Sequence, residues 1–534
     1  MTVSVHPSES IGRWLANLAE RDRGRTAIRI SGMDLTVTDI ASRSQRRGAA
    51  LQRLGLATGD RVALMMKNSD ENIVSWLAIC SAGLIEVPVN TAQRGDLLRY
   101  LIDQSGALAV IVDEDLADRV LRELPHLPDV RHLIVNTRDS SVAKKIDSET
   151  HVDTIALDQL DCDDQLRDPG VTAQDTSTIL YTSGTTGPSK GVVLSHSANL
   201  YLGRHTADLM SYDPEDVLYT AFPLFHINAK YTSVFAALES QATLVMDDRF
   251  SASRFWDTCR ENGVTAFNYQ GALLLMLFKQ PESPRDREHN VIKAFGAPCP
   301  IEIWEPFEQR FGLTLTEVYG MTEIAIATEN RPGSRRIGSA GRVCKQFDLR
   351  IVDDLDRTVD AHVHGEIVVR PTLPGVMIDN YFQMPTATVE AFRNLWFHTG
   401  DRGYLDEDGF LWFVDRMKDC IRRRGENISS FEVEKTLISH PSISEAAAYA
   451  VESELSEDEV MVALVLKDDV SLDPVELLDW CQDRLAHFAI PRFIRLVSSL
   501  PKTPSQRIQK YVLRDEGVTT DTWDRESAGY QIRR

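Results

Sequence analysis

The sequence lacks the excess of positive charge that a nucleic-acid-binding protein needs. Its 534 residues include 79 acidic and 58 basic side chains, which give a formal net charge of −21. Proteins that bind the phosphate backbone present an electropositive face. We therefore expect no nucleic-acid partner, although a few local cations can still hold a small anionic substrate inside an acidic protein.

Cysteine is scarce, and so are long apolar runs. The seven cysteines are odd in number and widely spaced, and none forms a CxxC pair. This pattern predicts reduced thiols in a cytoplasmic protein rather than a disulfide framework or a zinc site. The most apolar run, residues 73–85, is too short to cross a bilayer and is followed by Glu86. The first ten residues lack the basic and apolar segments of a signal peptide, so we expect neither a membrane span nor export.

The composition is otherwise that of a globular protein, with 43% apolar and 26% charged residues over a length that predicts several domains. A strand pattern at 62–66 precedes a helix pattern at 73–84, and apolar strand patterns recur at 107–112 and 133–135. Strands that alternate with helices indicate an α/β domain with a largely parallel sheet. The polar stretch 137–175 predicts a long surface loop with one short helix.

The pattern changes near Asp415. Before it, short strand signals at 349–370 predict a small β unit, and after it basic residues cluster at 416–424. The rest predicts helices near 430 and at 474–485, and strands at 447–451, 460–466 and 493–497. The predicted fold class is therefore α/β, with a large N-terminal domain of mixed sheets flanked by helices and a small β unit (residues 1–415). A small α+β C-terminal domain (residues 416–534) follows.

The most informative segment is a run of glycine and hydroxyl residues that follows an apolar strand pattern at 179–181 and precedes a helix pattern at 195–199. Its residues are Thr182, Ser183, Gly184, Thr185, Thr186, Gly187, Pro188, Ser189, Lys190 and Gly191. Glycines let backbone N–H groups approach an anion, hydroxyls donate to phosphate oxygens, and the lysine adds a mobile charge. The order is not that of a Walker A loop, in which Gly immediately precedes Lys. The segment predicts a loop that holds a polyphosphate.

This loop resembles the phosphate-binding signature of the adenylate-forming (AMP-binding) superfamily, which includes acyl-CoA synthetases, firefly luciferases and the adenylation domains of peptide synthetases. Further segments match the family in order and spacing over nearly the whole chain. They are Phe222-Pro223-Leu224-Phe225-His226, Gly296-Ala297-Pro298, Tyr319-Gly320-Met321-Thr322-Glu323, Thr399-Gly400-Asp401, Asp415-Arg416-Met417-Lys418-Asp419 and Arg424-Gly425-Glu426-Asn427-Ile428. A chance match of six segments in one order is very improbable.

The resemblance implies a role for each of these segments. The residues implied to bind ATP and AMP are Thr182, Ser183, Gly184, Thr185, Thr186, Gly187, Gly296, Ala297, Pro298, Tyr319, Gly320, Met321, Thr322, Asp401 and Arg416. Glu323 is implied to hold Mg²⁺, which prefers carboxylates and substrate phosphates as ligands. Lys418 is the implied hinge of a mobile C-terminal domain, and the implied coenzyme A contacts are Gly425, Glu426 and Asn427. The implied catalytic residues are Lys190, His226, Thr322, Glu323 and Arg507.

The chain departs from the family near its C-terminal end. There the family has a Ser/Thr-Gly-Lys segment whose lysine bridges the substrate carboxylate and ATP, whereas this sequence has Gln506 and Arg507 at the last two positions. Arginine keeps the positive charge but is planar and bulkier. We predict that Arg507 neutralises the charge that develops during adenylation; Lys510 could replace it only if the local register shifted.

The segments that the resemblance assigns to the acyl pocket are polar. His226 is followed by Asn228 and Lys230, and Tyr269 and Gln270 lie in a second pocket region. A pocket lined by these side chains would be too polar for a long-chain fatty acid. The hypothesis is therefore a small, polar or aromatic acid, with a second anionic group facing Lys230. The alternative is that Lys230 points into solvent.

Together these expectations describe an AMP-forming acyl-CoA ligase, loosely similar to the crotonobetaine/carnitine-CoA and the medium-chain or aryl-CoA ligases. Its cofactors would be ATP, Mg²⁺ and coenzyme A, its partner a small-molecule carboxylic acid, and its location the cytoplasm. The family also makes a homodimer plausible. One alternative is an adenylating enzyme with another acceptor: a carrier-protein thiol, an amine, or nitrite in diazotisation. The other is a nucleotide-binding protein without catalysis, which only Arg507 favours.

Overall fold

The computed structural model describes residues 4–22, 24–150, 152–161, 164–182, 188–416, 420–453, 458–467, 470–502 and 508–533. The chain divides into two compact units. The first comprises Met1–Thr91, Ile102–Tyr181 and Gly191–Val414, and the second comprises Ala92–Leu101, Thr182–Lys190 and Asp415–Arg534.

The elements as far as Arg416 alternate between helix and strand. The helices are α1 (Ile11–Arg21), α2 (Val37–Arg53), α3 (Asp70–Ser81), α4 (Gly95–Ser105), α5 (Glu114–Glu123), α6 (Ser140–Glu149), α7 (Leu157–Leu160), α8 (His196–Met210), α9 (Ile227–Ala229), α10 (Ala236–Ser240), α11 (Phe255–Asn262), α12 (Gly271–Phe278), α13 (Ile301–Phe311) and α14 (Pro385–Ala391). A π-helical turn (Lys230–Phe235) joins α9 to α10, and short 3₁₀ turns lie at Leu124–His126 and Arg393–Leu395. The strands are β1 (Thr26–Ile30), β2 (Met33–Thr36), β3 (Arg61–Met65), β4 (Ile85–Pro88), β5 (Ala107–Asp113), β6 (His132–Asn136), β7 (Asp153–Ala156), β8 (Thr176–Thr182), β9 (Lys190–Ser195), β10 (Val217–Thr220), β11 (Thr243–Met246), β12 (Ala266–Tyr269), β13 (Lys293–Gly296), β14 (Thr314–Met321), β15 (Ala325–Glu329), β16 (Arg342–Val343), β17 (Phe347–Val352), β18 (Gly365–Pro371), β19 (Asn380–Tyr381), β20 (Phe397–Leu405) and β21 (Leu411–Arg416).

Three sheets organise these strands. Nine strands run in the order β16-β15-β14-β13-β12-β10-β11-β1-β2, and eight in the order β19-β9-β8-β4-β3-β5-β6-β7. The inner pairings of both sheets are parallel, and such strands are buried on both faces, which explains their continuous apolar runs. The smaller sheet β17-β18-β20-β21 has antiparallel pairings. The predicted α/β class, with mixed sheets and a small β unit, is confirmed.

The predicted run at 73–84 is α3, whose residues from Asn72 to Ser81 are all buried. It packs against α1, α2, β3 and β4, which explains why it is apolar on every side. Ser69 begins the helix by accepting a hydrogen bond from the Asn72 N–H. Within the described residues, no helix is long and apolar enough to cross a membrane.

Two stretches differ from the sequence prediction. The stretch 137–175, predicted as a loop with one short helix, contains two helices, α6 and α7, and the strand β7, which pairs with β6 at the edge of the eight-stranded sheet. A four-residue edge strand is too short to give a periodic signal. The second stretch is 190–195, where Lys190 begins a strand, β9, that was not predicted; the helix predicted near 195–199 is present as α8, which follows the Ser195 cap.

The second unit contains β22 (Cys420–Arg423), β23 (Glu426–Ser429), α15 (Ser430–Ile438), β24 (Ile443–Glu452), β25 (Asp458–Leu466), α16 (Pro474–Gln482), β26 (Phe493–Leu496), α17 (Lys510–Glu516) and β27 (Trp523–Asp524). One sheet has the order β24-β25-β26-β27, and β22 and β23 form a separate hairpin. The helices and strands predicted after residue 430 are present. Their apolar faces form two clusters of buried side chains within the unit.

Candidate active site

The predicted magnesium ligand Glu323 lies in the turn between β14 and β15. It is 4% exposed, and Tyr381 of β19 donates a 3.0 Å hydrogen bond to its Oε1. Burial, together with the charge of Glu323, raises the pKa of the Tyr381 hydroxyl, which therefore stays protonated as a donor. The Ile378 N–H also donates to the Glu323 carbonyl oxygen at 2.7 Å. The segment from Ile378 to Tyr381 thus fixes both the main chain and the carboxylate of Glu323.

The hairpin that carries Glu323 requires a glycine at Gly320. A Cβ atom there would lie 2.0 Å from the carbonyl oxygen of Ala325 on the opposite strand. Met321 pairs with Ala325, and Thr322 lies with Glu323 in the connecting turn. The close approach of the two strands explains why the motif has Gly at this position.

The predicted ribose-binding residue Asp401 is also a buried carboxylate. It is 4% exposed, and the Tyr319 hydroxyl donates a 2.8 Å hydrogen bond to its Oδ2. Its backbone N–H donates to Thr399 Oγ1 at 3.1 Å, within an irregular part of β20 in which Gly400 has a φ of +72°. Because Tyr319 and Glu323 belong to one hairpin, that hairpin connects the two carboxylates.

The predicted adenine segment, Gly296-Ala297-Pro298, follows β13 directly. A Cβ at Gly296 would lie 2.0 Å from the Tyr269 carbonyl oxygen on the neighbouring strand, so only glycine fits there. The next residue, Cys299, donates its N–H to Glu317 Oε2 at 3.0 Å. Burial raises the pKa of Glu317 to about 8. At neutral pH this carboxyl is largely protonated, and it can donate as well as accept a hydrogen bond.

The predicted acyl-pocket segment begins at His226, which is half-buried and immediately precedes α9. Asn228 is also half-buried, and its Oδ1 accepts a 3.0 Å hydrogen bond from Asn268 Nδ2. The same amide nitrogen lies 3.1 Å from Thr232 Oγ1 and 2.9 Å from Ser233 Oγ. These two hydroxyls, which belong to the π-helical turn, in turn donate to the Asn228 carbonyl oxygen of α9. The polarity predicted here is therefore a neutral network of amides and hydroxyls.

The structure contradicts the hypothesis that Lys230 presents its charge to a substrate, and also the alternative that it points into solvent. The residue is 0% exposed, its ammonium group is paired with the carboxylate of Glu86 on β4, and it lies 4.1 Å from the ring centroid of Trp76. Burial lowers the pKa of Lys230 and raises that of Glu86, and the pairing opposes both shifts. Tyr269 is enclosed as well, with its hydroxyl 3.3 Å from the Thr316 carbonyl oxygen.

The predicted phosphate loop is described only at its ends, which are Thr182 at the end of β8 and residues 188–191, with Lys190 at the start of β9. Within the second unit, Ser189 Oγ donates a 2.5 Å hydrogen bond to Glu432 Oε1, and the Ser189 carbonyl oxygen accepts a 2.9 Å bond from the Tyr100 hydroxyl. Burial raises the pKa of Glu432. The remaining loop residues lie outside the described part of the chain: Ser183, Gly184, Thr185, Thr186 and Gly187.

The predicted coenzyme A loop is a tight hairpin between β22 and β23. Its two turn residues, Arg424 and Gly425, have φ angles of +52° and +82°, the signs that a type I′ turn needs, and Glu426 begins β23. Of Asn427, and likewise of Arg416 at the end of β21, only the main chain is described. The predicted hinge Lys418 and the predicted catalytic Arg507 lie outside the described residues.

Lys510, the alternative to Arg507, belongs to α17 in the second unit. Its Nζ lies 2.7 Å from Glu434 Oε1 and donates to Ser430 Oγ at 2.7 Å. Only 14% of its side chain is exposed. These contacts tie α17 to α15 and disfavour Lys510 as the missing catalytic lysine.

Three side chains at the site were missed by sequence reasoning: Tyr381, Glu317 and Asn268. Tyr381 and Asn268 lie outside the segments that carry the family resemblance, and Glu317 lies two residues before Tyr319. The one available signal was the acidic side chain of Glu317 inside an otherwise apolar and hydroxylated strand, 314–318, since a buried carboxyl is rare without a partner.

Comparison with known proteins identifies the family of this chain. A model of the AMP-binding enzyme family matches residues 15–378, and a model of the AMP-binding enzyme C-terminal domain matches residues 432–507. A crotonobetaine/carnitine–CoA ligase of Salmonella typhi is 31% identical over 478 residues, which cover 86% of this chain and 88% of the relative.

Among solved structures, an o-succinylbenzoate CoA synthetase of Bacillus subtilis superimposes with a TM-score of 0.79 at 25% identity, covering 96% of this chain and 98% of that one. An amide bond synthetase of Marinactinospora thermotolerans gives a TM-score of 0.81 at 22% identity, covering 95% and 99%; at that identity the likeness concerns the fold. The motifs in their order, the buried Glu323 and Asp401 and the family match together establish that this chain belongs to the AMP-binding enzyme family.

Proposed function

We propose that this chain is an AMP-forming acid–thiol ligase. It activates a small carboxylic acid with ATP as an acyl-adenylate, releases pyrophosphate, and transfers the acyl group to coenzyme A with release of AMP. The observation that carries the proposal is the pair of buried carboxylates, Glu323 and Asp401, each fixed by a tyrosine hydroxyl. The similarity to ligases that use coenzyme A supports the thiol acceptor.

Glu323 suits the proposed magnesium site chemically. Mg²⁺ is bound by one or two carboxylates together with substrate phosphates, and Tyr381 holds this carboxylate in one orientation. When bound, the ion would neutralise charge on the phosphates of ATP. Thr322 in the same turn would contact the nucleotide phosphate, and Asp401 would accept the ribose hydroxyls.

The remaining nucleotide contacts follow the segments described above. The adenine would lie against Gly296, Ala297 and Pro298, followed along the hairpin by Tyr319, Gly320 and Met321. Phosphates would be held by the loop from Thr182 to Gly187 and by Lys190, with Arg416 reaching the ribose. Phosphoryl and adenylyl transfer depend mainly on positioning and charge neutralisation. In the first half-reaction, Arg507 would supply the cation that neutralises this charge.

We further propose that residues 1–415 form the domain with the acyl and ATP sites and residues 416–534 form a mobile domain that turns about Lys418. After this rotation, a different face of the mobile domain would present Gly425, Glu426 and Asn427 to coenzyme A. The two clusters of buried side chains between Ile421 and Leu513 lie within this part of the chain, which supports a separately moving body. Lys418→Pro should abolish one half-reaction far more than the other, and equal loss of both would argue against this hinge.

The acid substrate is proposed to be small and polar or aromatic. The support is the network of Asn228, Asn268, Thr232 and Ser233 beside His226, since a pocket for a long acyl chain is predominantly apolar. The burial of Lys230 removes the earlier argument for a second anionic group on the substrate. A panel in which only long-chain acids are converted would refute this proposal.

The deciding experiment measures pyrophosphate release with Mg-ATP across aliphatic, aryl and amino-aryl acids and nitrite, each with and without coenzyme A. We expect release that coenzyme A stimulates, with the matching acyl-CoA found by mass spectrometry. Release without any thioester would transfer the assignment to a carrier-protein, amine or nitrite acceptor. Nucleotide binding without release from any acid would favour a protein that has lost catalysis.

We also propose that the protein is a homodimer and that it is located in the cytoplasm. The family resemblance supports a homodimer, which light scattering coupled to gel filtration tests. Five of the seven cysteines, Cys80, Cys259, Cys299, Cys344 and Cys481, are free thiols in the part of the chain that the structure describes, which supports a reducing compartment such as the cytoplasm. Localisation of the tagged chain by cell fractionation tests that assignment.

A further inference from the structure

Three potential metal ligands meet in the interior of the first unit, outside the proposed active site. They are His205 of α8, Glu329 at the end of β15, and Cys344, which follows β16. Cys344 is 1% and His205 2% exposed. Within the described residues this is the one group of three or more His, Cys, Asp or Glu side chains whose ligand atoms lie within 4.8 Å of one another.

The distances in this cluster match a tetrahedral coordination shell. His205 Nε2 lies 3.3 Å from Glu329 Oε2 and 3.6 Å from Cys344 Sγ. With the usual zinc bond lengths of about 2.0–2.1 Å to nitrogen, about 2.0–2.2 Å to oxygen and about 2.3 Å to sulfur, a tetrahedron has edges of about 3.4 Å for N···O and about 3.6 Å for N···S. The two separations from His205 Nε2 are close to these edges, and the ligand atoms of Glu329 and Cys344 lie within 4.8 Å of each other, so a small shift would let one ion contact all three atoms.

Neighbouring groups hold the side chains of such a site in place. Arg331 donates to Glu329 Oε1 at 2.7 Å through Nε and to Oε2 at 3.2 Å, and it also binds Asp208 at 2.9 Å. The ring of Tyr201 stacks on His205, with centroids 5.4 Å apart. Hydrogen bonds to a ligating carboxylate and a fixed imidazole plane are the usual support of protein metal sites. Two anionic ligands and Asp208 would balance a divalent ion together with Arg331.

The same geometry argues against a nucleophilic role for Cys344. In a Cys–His–carboxylate triad the thiol and the carboxylate contact opposite nitrogens of the imidazole. Here both Cys344 Sγ and Glu329 Oε2 approach the same nitrogen, Nε2 of His205. Three ligand atoms within 4.8 Å of one another suit a cation rather than a proton relay.

We propose that His205, Glu329 and Cys344 form a binding site for a divalent transition metal of the zinc class. Binding replaces the thiol proton of Cys344, which is released to solvent, with a metal–sulfur bond; a solvent oxygen can supply the fourth ligand. The ion would tie α8 to β15 and to the chain that leads into β17. It would thus fasten the nine-stranded sheet to the start of the four-stranded sheet.

The test uses the full-length protein after treatment with a chelator, with Co²⁺ and Zn²⁺ as probes. We expect one equivalent of Co²⁺ per chain, with a sulfur-to-cobalt charge-transfer absorption band that Zn²⁺ abolishes by displacement. Zn²⁺ should also raise the unfolding temperature of the wild-type protein. None of these readouts depends on ligase activity, so the site and the proposed function fail independently.

Cys344→Ser should remove the sulfur band and weaken Co²⁺ binding at least about tenfold. Cys259→Ser is the matched control, because Cys259 is equally buried but belongs to no such cluster within the described residues; it should keep the band. Wild-type protein that gives no sulfur band overturns the proposal even if Cys344→Ser fails to fold. A band that persists in Cys344→Ser, or one that Cys259→Ser removes, overturns it as well.

Discussion

Replacing Tyr381 by phenylalanine should impair the use of Mg²⁺ more than any other property of the enzyme. The change removes one hydroxyl, which donates a 3.0 Å hydrogen bond to Glu323 Oε1, and leaves the ring in place. Hydrogen bonds to charged groups contribute about 1.5–3 kcal/mol, and Glu323 is only 4% exposed, so water cannot readily replace the donor. At about 1.4 kcal/mol per tenfold change, the apparent Mg²⁺ activation constant should rise about 10- to 100-fold, the range usual for partners of metal ligands.

The assay is ATP–pyrophosphate exchange with the identified acid, titrated with Mg²⁺ at a fixed ATP concentration. Tyr319→Phe is the matched control, because it likewise removes a tyrosine hydroxyl that donates to a buried carboxylate, in this case Asp401. That variant should raise the KM for ATP and leave the Mg²⁺ dependence unchanged. If the two variants share one Mg²⁺ titration curve, or if Tyr381→Phe titrates like the wild type, the assignment of Glu323 as the metal ligand is refuted.

Three further predictions concern buried groups. Lys230→Met should lower the free energy of unfolding by about 3–5 kcal/mol, because Glu86 loses its partner. The KM for the acid, measured on the folded fraction, should stay unchanged. A raised KM would mean that Lys230 contacts the substrate after all. The pKa of Glu317 is raised from 4.5 to about 8, so the folded state retains a proton that the unfolded state has lost. Wild-type stability should therefore fall by up to about 1.4 kcal/mol per pH unit as pH rises between those values, and urea midpoints of Glu317→Gln should not show this fall. Gly296→Ala would place a methyl group 2.0 Å from the Tyr269 carbonyl oxygen; we expect loss of nucleotide binding or of folding, and full ATP affinity by calorimetry would contradict the close approach.

The sequence predicted those elements whose signal is local. The run at 73–84 is apolar on every side because α3 is covered from all directions, and the strand at 107–112 is a parallel strand buried on both faces. Elements defined by their partners were missed. β7 and β9 acquire their strand conformation at or near a sheet edge, from main-chain pairing that leaves little trace in short polar or glycine-containing segments.

The same limit applies to the candidate site. Motif order identified Glu323 and Asp401, but not the hydroxyl that fixes Glu323, because Tyr381 is 58 positions away in the sequence. The error at Lys230 has the same origin. A lysine beside a pocket motif is read as exposed until its partner is known, and Glu86 lies 144 positions before it. Burial of a charge is decided by such distant pairs, which one sequence alone does not display.

The two-residue strand β19 has a consequence for how this enzyme should be probed. It joins Glu323 to the strand that leaves the phosphate loop: Tyr381 pairs with Val192 of β9, and the Phe382 N–H donates to the Gly191 carbonyl oxygen at 2.8 Å. That connection consists of main-chain atoms, so alanine scanning leaves it intact and side-chain covariation carries no record of it. A backbone change, such as an amide-to-ester replacement at Phe382, is the experiment that can sever it.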